Sequence, residues 1–146
     1  ISTLHLSELS HLDQVKLVNQ LFLEQQTSQD NIILLKRDLV KKRNGYYNQD
    51  LRKKRVVDIN EILSLDELIE KLVGSKLTCL YCRQKVYLFY KEVRSPTQWT
   101  LDRIDNTLSH TSDNTCICCL QCNLKRREIS HSGYMFTKNL SISKLK

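Results

Sequence analysis

Residues 99–127 read WTLDRIDNTLSHTSDNTCICCLQCNLKRR, and this stretch decides the fold. It contains a Cys-x-x-Cys pair near its end, and a second pair with the same spacing, CLYC, stands at residues 79–82. Two such pairs in one chain predict a single tetrahedral zinc site with four thiolate ligands. The predicted ligands are Cys79, Cys82, Cys119 and Cys122. A zinc ion with four protein ligands has no open coordination position, so we expect this zinc to be structural.

The six cysteines are unevenly distributed, and this favours a metal over disulfides. The first 78 residues contain none, and four of the six lie within residues 116–122. Disulfide frameworks spread along the chain that they cross-link, whereas clustered pairs suit a metal. We expect the two remaining cysteines, Cys116 and Cys118, to be small buried residues of a strand. A reducing intracellular compartment is therefore expected, and neither a signal-peptide pattern nor an apolar run of about 18 residues is seen.

The net charge of +7 is concentrated in one part of the chain. Residues 36–55 hold nine basic and two acidic side chains, and a basic block of this kind is typical of contacts with a phosphate backbone. A solvated surface, or basic side chains that complement a helix C-terminus, would explain the same block without nucleic acid. A shorter basic run follows the last cysteine. The predicted nucleic-acid contacts are Lys41, Lys42, Arg43, Arg52, Lys53, Lys54, Arg55, Lys125, Arg126 and Arg127.

Apolar side chains at helical spacing predict two helices in the first part of the chain. The first follows Ser10, a predicted N-cap, and ends in the polar residues 25–29. The second covers residues 30–43 and is predicted to end at Gly45, because glycine accepts the left-handed conformation that closes many helices. Residues 46–57 show no clear period and are expected to form a basic connector.

The rest of the chain predicts an α+β fold. Ser64 and Glu67 form a predicted capping box at the start of a third helix, which we expect to stop at Gly74. Strands are expected at about residues 86–91, 99–104 and 115–118, followed by a last helix that starts within residues 119–122. We therefore expect a helical region with a basic connector at residues 1–57, a zinc domain at 58–132 and a loosely attached tail at 133–146.

Residues 60–130 resemble the HNH (His-Me finger) endonuclease family, in its zinc-stapled, treble-clef branch. The resemblance depends on a capped helix before Cys-x-x-Cys and on the motifs LDRIDN, SHTSDN and CLQCNLKR. Phage and large-virus proteins with a similar LDRIDN signature are usually grouped with this family. The resemblance implies a ββα-metal fold in which a hairpin and a helix hold one divalent cation, Mg²⁺ or Mn²⁺, at the scissile phosphate of DNA.

The resemblance also implies roles for particular residues. Asp102 matches the acid that binds the catalytic cation, Asn123 the ligand on the helix, and Asn114 the loop amide that holds the general base. Each has an ordinary structural alternative, such as a cap or a turn. Trp99 is expected in the core.

The position of the family's general base is occupied by Arg103. Arginine stays protonated in water and cannot accept a proton, although it can clamp a phosphate with two hydrogen bonds. Asp105 and His110 are the nearby side chains that could take the proton instead. For His110, an exposed position in a loop is the alternative.

Two functions from different classes follow. The first is a metal-dependent DNA endonuclease of the HNH type. The second is a non-catalytic zinc module that binds DNA or RNA, in the setting of a larger protein assembly, and Arg103 favours this second reading. A protein-interaction domain that docks through its N-terminal helices is a third hypothesis. If the protein is viral, we expect it in the cytoplasm or nucleus of the host cell.

Overall fold

The computed structural model describes residues 6–23, 30–126 and 129–144. Within these ranges the chain combines helices with one small antiparallel sheet, so the predicted α+β class is confirmed. The elements are α1 (His11–Phe22), α2 (Asp30–Arg52), a 3-10 turn (Ile59–Glu61), α3 (Leu65–Ser75), β1 (Trp99–Arg103), β2 (Thr115–Cys119), α4 (Leu120–Arg126) and α5 (His131–Lys144). None of the helices in the described ranges has the length and apolar character needed to cross a membrane.

The first three helices pack on one another and bury one apolar stripe each. Ser10 caps α1 as predicted, because its hydroxyl accepts a hydrogen bond from the backbone N–H of Asp13 at 3.1 Å. Such caps satisfy an N–H group that has no partner inside the helix. The buried residues of the stripes are Leu17 and Val18 of α1, Ile32, Leu35 and Leu39 of α2, and Leu68, Ile69 and Leu72 of α3.

Helix α2 does not end at Gly45, and the prediction of a connector from residue 46 is wrong for its first half. The helix continues to Arg52, and Gly45 has no positive φ angle. Tyr46 and Asp50, one helical turn apart, explain the continuation. The hydroxyl of Tyr46 accepts a hydrogen bond from the backbone N–H of Leu101 at 3.0 Å, and Asp50 is fully buried. These long-range contacts outweigh the local preference of glycine for a helix end.

Helix α3 has the predicted capping box, in which Ser64 and Glu67 exchange hydrogen bonds with each other's backbone N–H groups. Its end differs slightly from the prediction, since Gly74 lies inside the helix. The turn is made by Lys76 and Leu77, with φ angles of 54° and 51°. This turn leads directly into the first cysteine pair.

The strand expected at residues 86–91 is not formed, and a side chain of α1 explains why. The amide of Gln14 is buried and takes the place of a neighbouring strand. Its Oε1 accepts hydrogen bonds from the backbone N–H groups of Leu88 at 2.7 Å and Phe89 at 3.2 Å, and its Nε2 donates to the carbonyl of Phe89. Tyr87 keeps an isolated bridge to Gln98.

The sheet is a two-stranded hairpin whose register pairs Trp99 with Cys119 and Asp102 with Cys116. Helix α4 follows β2 without a break, so the second cysteine pair spans the strand end and the first helical turn. The segment expected to be a loose tail is helical in α5. It is anchored by Tyr134, which is buried and packs edge-on against Tyr81 with ring centroids 5.0 Å apart.

Gly45 provides a direct test of the continuous helix α2. A Cβ atom built there meets nothing within 4 Å, and alanine is favoured over glycine inside a helix by about 0.8–1.0 kcal/mol. Gly45→Ala should therefore raise the free energy of unfolding by up to about 1 kcal/mol, measured by urea denaturation. A loss of stability would instead support the helix end predicted from sequence. Gly133→Ala is the contrast, because its Cβ would lie 2.9 Å from the Ser130 Oγ, and no comparable gain is expected.

Candidate functional site

The four cysteines predicted as zinc ligands come together at one end of the hairpin. The Sγ atoms of Cys79, Cys82, Cys119 and Cys122 all lie within 4.8 Å of one another. Cys79, Cys119 and Cys122 are buried, and Cys82 is partly exposed. Four thiols this close are positioned to bind a metal ion.

In each cysteine pair, the backbone geometry directs the two sulfur atoms towards those of the other pair. The N–H of Cys82 donates to Cys79 Sγ at 3.5 Å, and the N–H of Cys122 donates to Cys119 Sγ at 3.3 Å. Arg83 adopts a left-handed conformation, with a φ angle of 61°, to close the first turn. Hydrogen bonds among these thiols lower the pKa of Cys79 and raise that of Cys119, and burial raises the pKa of Cys82.

The two cysteines left out of the predicted site lie on β2, as expected. Cys118 is buried and its thiol lies 3.3 Å from the Thr100 Oγ1. Cys116 is half-buried, and burial raises the pKa of its thiol to about 11. Neither belongs to the four-sulfur cluster.

A cavity of about 560 Å³ lies between the end of α2, strand β1, the loop 104–114 and helix α4. We call it the His110 cavity. Four of the residues predicted to be catalytic line it, namely Asp102, Arg103, His110 and Asn123, together with Arg55. Residues that are distant in sequence thus surround one space.

His110 is held by a carboxylate from helix α2 that the sequence did not reveal. Its Nδ1 lies 2.9 Å from Asp50 Oδ2, and its backbone N–H donates to the same oxygen at 3.0 Å. The other oxygen of Asp50 forms an ion pair with Arg55 Nη1 at 3.0 Å. The only sequence signal for Asp50 is that it is the one acid within residues 46–57, and nothing in that segment identifies its partner.

The surroundings of His110 and Asp50 set their protonation states. Burial lowers the pKa of His110 and outweighs the opposing hydrogen bond and charge of Asp50. Burial alone would raise the pKa of Asp50, but hydrogen bonds from the backbone and ring of His110 and from Arg55 bring it below its usual value. Near neutral pH the pair is therefore a neutral imidazole and a carboxylate. With Nδ1 directed at Asp50, the nitrogen that can accept a proton is Nε2.

The loop before His110 is fixed by the amide of Asn114. Its Oδ1 accepts from the backbone N–H of Asp105 at 2.8 Å, and its Nδ2 donates to the carbonyls of Asp105 at 3.0 Å and Ser109 at 2.9 Å. Arg103 adds hydrogen bonds from Nη1 to the carbonyls of Asn106 and Leu108. Asn114 therefore holds the segment that carries His110 without lining the cavity itself.

Asp105, the other candidate base, lies outside the His110 cavity. Its carboxylate is exposed and accepts hydrogen bonds from the hydroxyl and backbone N–H of Thr107 at 2.6 and 2.9 Å. The hydroxyl of Thr107 and then its N–H lower the pKa of Asp105. These contacts are those of an ordinary turn.

Asp102 is buried, and one of its oxygens already has two partners. Oδ2 accepts from Arg126 Nη1 at 2.6 Å and from the hydroxyl of Tyr81 at 2.5 Å. Arg126 is only 1% exposed and also donates to the backbone carbonyls of Arg103 and Ile104. A divalent cation on Asp102 would therefore sit beside a buried guanidinium that already neutralises the carboxylate. The residues as arranged do not fit the catalytic Mg²⁺ or Mn²⁺ that the resemblance implies.

Asn123 lines the same cavity from the first turn of α4, directly after Cys122. Its Nδ2 donates to Thr100 Oγ1 at 3.1 Å, and Thr100 donates in turn to the carbonyl of Cys118. Asn123 directly follows Cys122 in the chain. A metal ion bound by the four cysteines would therefore also fix the position of the Asn123 side-chain amide.

The predicted nucleic-acid contacts fall into different environments. Lys42 donates to the Tyr90 hydroxyl at 2.8 Å and lies over the rings of Tyr90 and Trp99, and Arg43 donates to the carbonyl of Leu63 at 2.6 Å. These two side chains, like buried Arg126, stabilise the fold. Exposed side chains are Lys41, Arg52, Lys53, Lys54 and Lys125, while Arg127 lies outside the described residues.

A second cavity, of about 540 Å³, lies beside the first, and we call it the Arg52 cavity. It is lined by Arg52 and Lys53, and it shares Gln49, Arg55 and Arg103 with the His110 cavity. Four basic side chains therefore surround a space next to the His110 cavity. Comparison of the chain with protein-family models, with curated proteins and with solved structures finds no match.

The Asp102–Arg126 ion pair generates a stability prediction. Removing one partner leaves the other as a buried, unpaired charge, which costs about 3–5 kcal/mol. Asp102→Asn and Arg126→Met should each destabilise the chain by that order, whereas the double variant should recover part of the loss. Urea denaturation of the four proteins, with metal content checked in each, gives the coupling energy. Strictly additive losses would show that the pair does not contribute as a pair.

Proposed function

We propose that this chain hydrolyses phosphodiester bonds in DNA, as an endonuclease of the HNH type, with His110 as its general base. One observation carries the proposal: His110 lines a cavity together with Asn123 and two arginines, and Asp50 holds its Nδ1 at 2.9 Å. A histidine oriented in this way by a carboxylate is a common general base. Burial keeps His110 neutral, as a proton acceptor must be.

The chemistry follows from these contacts. A water molecule attacks phosphorus while His110 Nε2 takes its proton, and Asp50 stabilises the imidazolium that forms. The new bond joins the water oxygen to phosphorus, the bond to the leaving oxygen breaks, and that oxygen takes a proton from solvent. Arg55 and Arg103 face the negative charge of the phosphate. In this proposal Arg103 is a phosphate-binding residue, and His110 replaces the base that is missing at position 103.

We further propose that β1, β2 and α4 form the ββα-metal unit of a treble-clef domain and that the cysteine cluster holds a structural Zn²⁺. The fit supports this: thiolates on a tetrahedral zinc with bonds of about 2.3 Å lie about 3.8 Å apart. Cys82 Sγ and Cys119 Sγ lie 3.8 Å apart. The zinc would be bound by the four cysteines alone and would fix the junction between β2 and α4.

The catalytic Mg²⁺ or Mn²⁺ remains a prediction of the resemblance. When bound, such an ion supplies Lewis acidity at the phosphate. Asp102, the acid that would hold this ion, is paired with Arg126 and Tyr81.

A second candidate function is a non-catalytic zinc module that binds DNA or RNA, in the setting of a larger assembly. The Asp102–Arg126 pair favours this candidate, because it fills the carboxylate that would hold a catalytic cation. The two basic cavities would then bind a phosphate backbone without cutting it.

The zinc proposal predicts one tightly bound zinc ion per chain. Structural zinc contributes about 10–16 kcal/mol to the folding of small zinc peptides, so Cys79→Ser and Cys122→Ser should lose both the metal and cooperative unfolding. Cys116→Ala is the matched control and should keep both, because its thiol lies outside the cluster. Elemental analysis and thermal denaturation measure the two properties. A zinc-free wild type that folds cooperatively would contradict the proposal.

The nuclease proposal predicts nicking of a supercoiled plasmid that depends on His110 and not on Asp105. His110→Asn keeps a donor near Asp50 but cannot accept a proton, and general-base loss costs about 10²–10⁴ in rate. Asp105→Asn should cut at close to the wild-type rate. The pKa of His110 is lowered from the usual histidine value of about 6.5. The wild-type nicking rate should therefore stay constant down to about pH 6.5 and decrease at lower pH, where His110 becomes protonated.

Two other outcomes would contradict the assignment of His110 as the general base. Loss of nicking in Asp105→Asn with His110→Asn unaffected would assign the base to Asp105. A wild type that binds DNA or RNA, retains zinc and cuts neither with nor without Mg²⁺ and Mn²⁺ would favour the binding module.

A further inference from the structure

Two side chains that line the His110 cavity, His110 and Arg55, are joined through the carboxylate of Asp50. Asp50 binds His110 through Oδ2 and Arg55 through Oδ1, and its side chain is completely buried. We call this group the His110–Asp50–Arg55 triad. Its members come from the end of α2, the turn after it and the loop between β1 and β2, so the triad fixes a base and a guanidinium relative to each other.

We propose that this site cleaves its phosphodiester without a divalent cation, with Arg55 and Arg103 meeting the charge of the phosphate while Arg126 neutralises Asp102. The inference rests on the proposed nuclease function and departs from what the resemblance implies. Three observations carry it: the occupied state of Asp102, the position of the two arginines, and the link from Arg55 to the base.

The first observation concerns Asp102. Its Oδ2 is shared by Arg126 Nη1 and the Tyr81 hydroxyl, and the side chain is only 7% exposed. Charges interact strongly in such a buried environment, because little water screens them. A divalent cation on this carboxylate would be repelled by the guanidinium next to it. Releasing Arg126 would leave that guanidinium buried and would break its hydrogen bonds to the carbonyls of Arg103 and Ile104.

The second observation concerns the two arginines that line both cavities. Both arginines line the His110 cavity and the Arg52 cavity, so the two guanidinium groups can act on one anion. A guanidinium carries five N–H donors. The contacts described for Arg55 and Arg103 are made by Nη1, which leaves other donors of each for phosphate oxygens.

The third observation is that Arg55 and His110 share Asp50. A phosphate bound by Arg55 would be held at a fixed position relative to the imidazole, as in-line attack requires. The positive charge that the reaction requires is thus supplied by arginine side chains of the chain itself. In the proposed step, water gives its proton to His110, its oxygen bonds to phosphorus, and the leaving oxygen is protonated by solvent, so no metal-bound group takes part.

The first experiment measures plasmid nicking by zinc-loaded protein in buffer cleared of divalent ions by a chelating resin, and again with Mg²⁺ or Mn²⁺ added. Zinc content is measured after each reaction, because a chelator that removed the structural zinc would unfold the site. Cutting at a similar rate in all three buffers is expected. Cutting only with added Mg²⁺ or Mn²⁺ would overturn the inference and leave the nuclease proposal standing. DNA binding without cutting in any buffer would refute the nuclease proposal, and the inference with it.

The second experiment measures Mn²⁺ binding at the site and does not depend on nuclease activity. Electron paramagnetic resonance of Mn²⁺ titrated into the zinc-loaded wild type should show no tight site. One tight Mn²⁺ ion that is lost in Asn123→Ala would overturn the inference. The Asn123→Ala variant removes the other predicted cation ligand and keeps the buried Asp102–Arg126 pair intact.

The third experiment tests the arginines with inorganic phosphate as the probe. Arg55→Gln should weaken the binding of phosphate measured by calorimetry and should lower the nicking rate about 10²–10³-fold, the usual effect of removing one donor to a transition-state oxyanion. Arg55→Lys should lie between Arg55→Gln and the wild type, because lysine keeps the charge but loses the fork of donors. Arg94→Gln is the matched control, since Arg94 is exposed and lines neither cavity. Equal phosphate affinity in Arg55→Gln and Arg94→Gln would contradict the assignment.

Discussion

The carboxylate of Asp50 connects the two parts of this chain. It receives hydrogen bonds from the backbone and ring of His110 and from Arg55, and it lies at the end of a helix that packs against α1 and α3. Because a buried carboxylate without partners is costly, this residue requires the loop 104–114 to fold back onto α2. The His110 cavity exists because the loop does so. Helix α2 is therefore part of the candidate site and not an addition to it.

Local signals in the sequence predicted much of the fold. The cysteine spacing identified the four cysteines that cluster, the Ser64 capping box marked the start of α3, and the strand expected at residues 99–104 corresponds to β1. What failed depended on contacts between distant residues. Gly45 signals a helix end, yet Tyr46 and Asp50 are bound by β1 and by His110, and the helix continues. The predicted strand at 86–91 lost its backbone partners to the side chain of Gln14, and a single glutamine in an amphipathic helix gives no sign of such a role.

In the candidate site, too, local features were predictable from the sequence and tertiary contacts were not. Asp102, His110 and Asn123, which the resemblance makes candidate catalytic residues, line one cavity, because motif spacing constrains residues within a hairpin and its helix. The sequence could not separate His110 from Asp105, because one is buried and the other exposed, and burial is a tertiary property. It also could not sort the basic side chains. Lys42, Arg43 and Arg126 carry the same charge as Arg52. Unlike Arg52, however, they contact carbonyls, aromatic rings and a carboxylate inside the fold.

The link between Gln14 and the segment at residues 88–89 has a consequence for the order of folding. Its two ends are 75 positions apart, and the Asp50–His110 contact spans 60. Contacts of such sequence separation form late, because a long loop must close before they are made. On a ribosome, α1 and α2 emerge before residues 88, 89 and 110, so Gln14 and Asp50 at first have only the nearby partners Leu9 and Arg55. The Gln14 amide gains its remaining partners once residue 89 has left the exit tunnel, and Asp50 gains His110 only after residue 110 has done so.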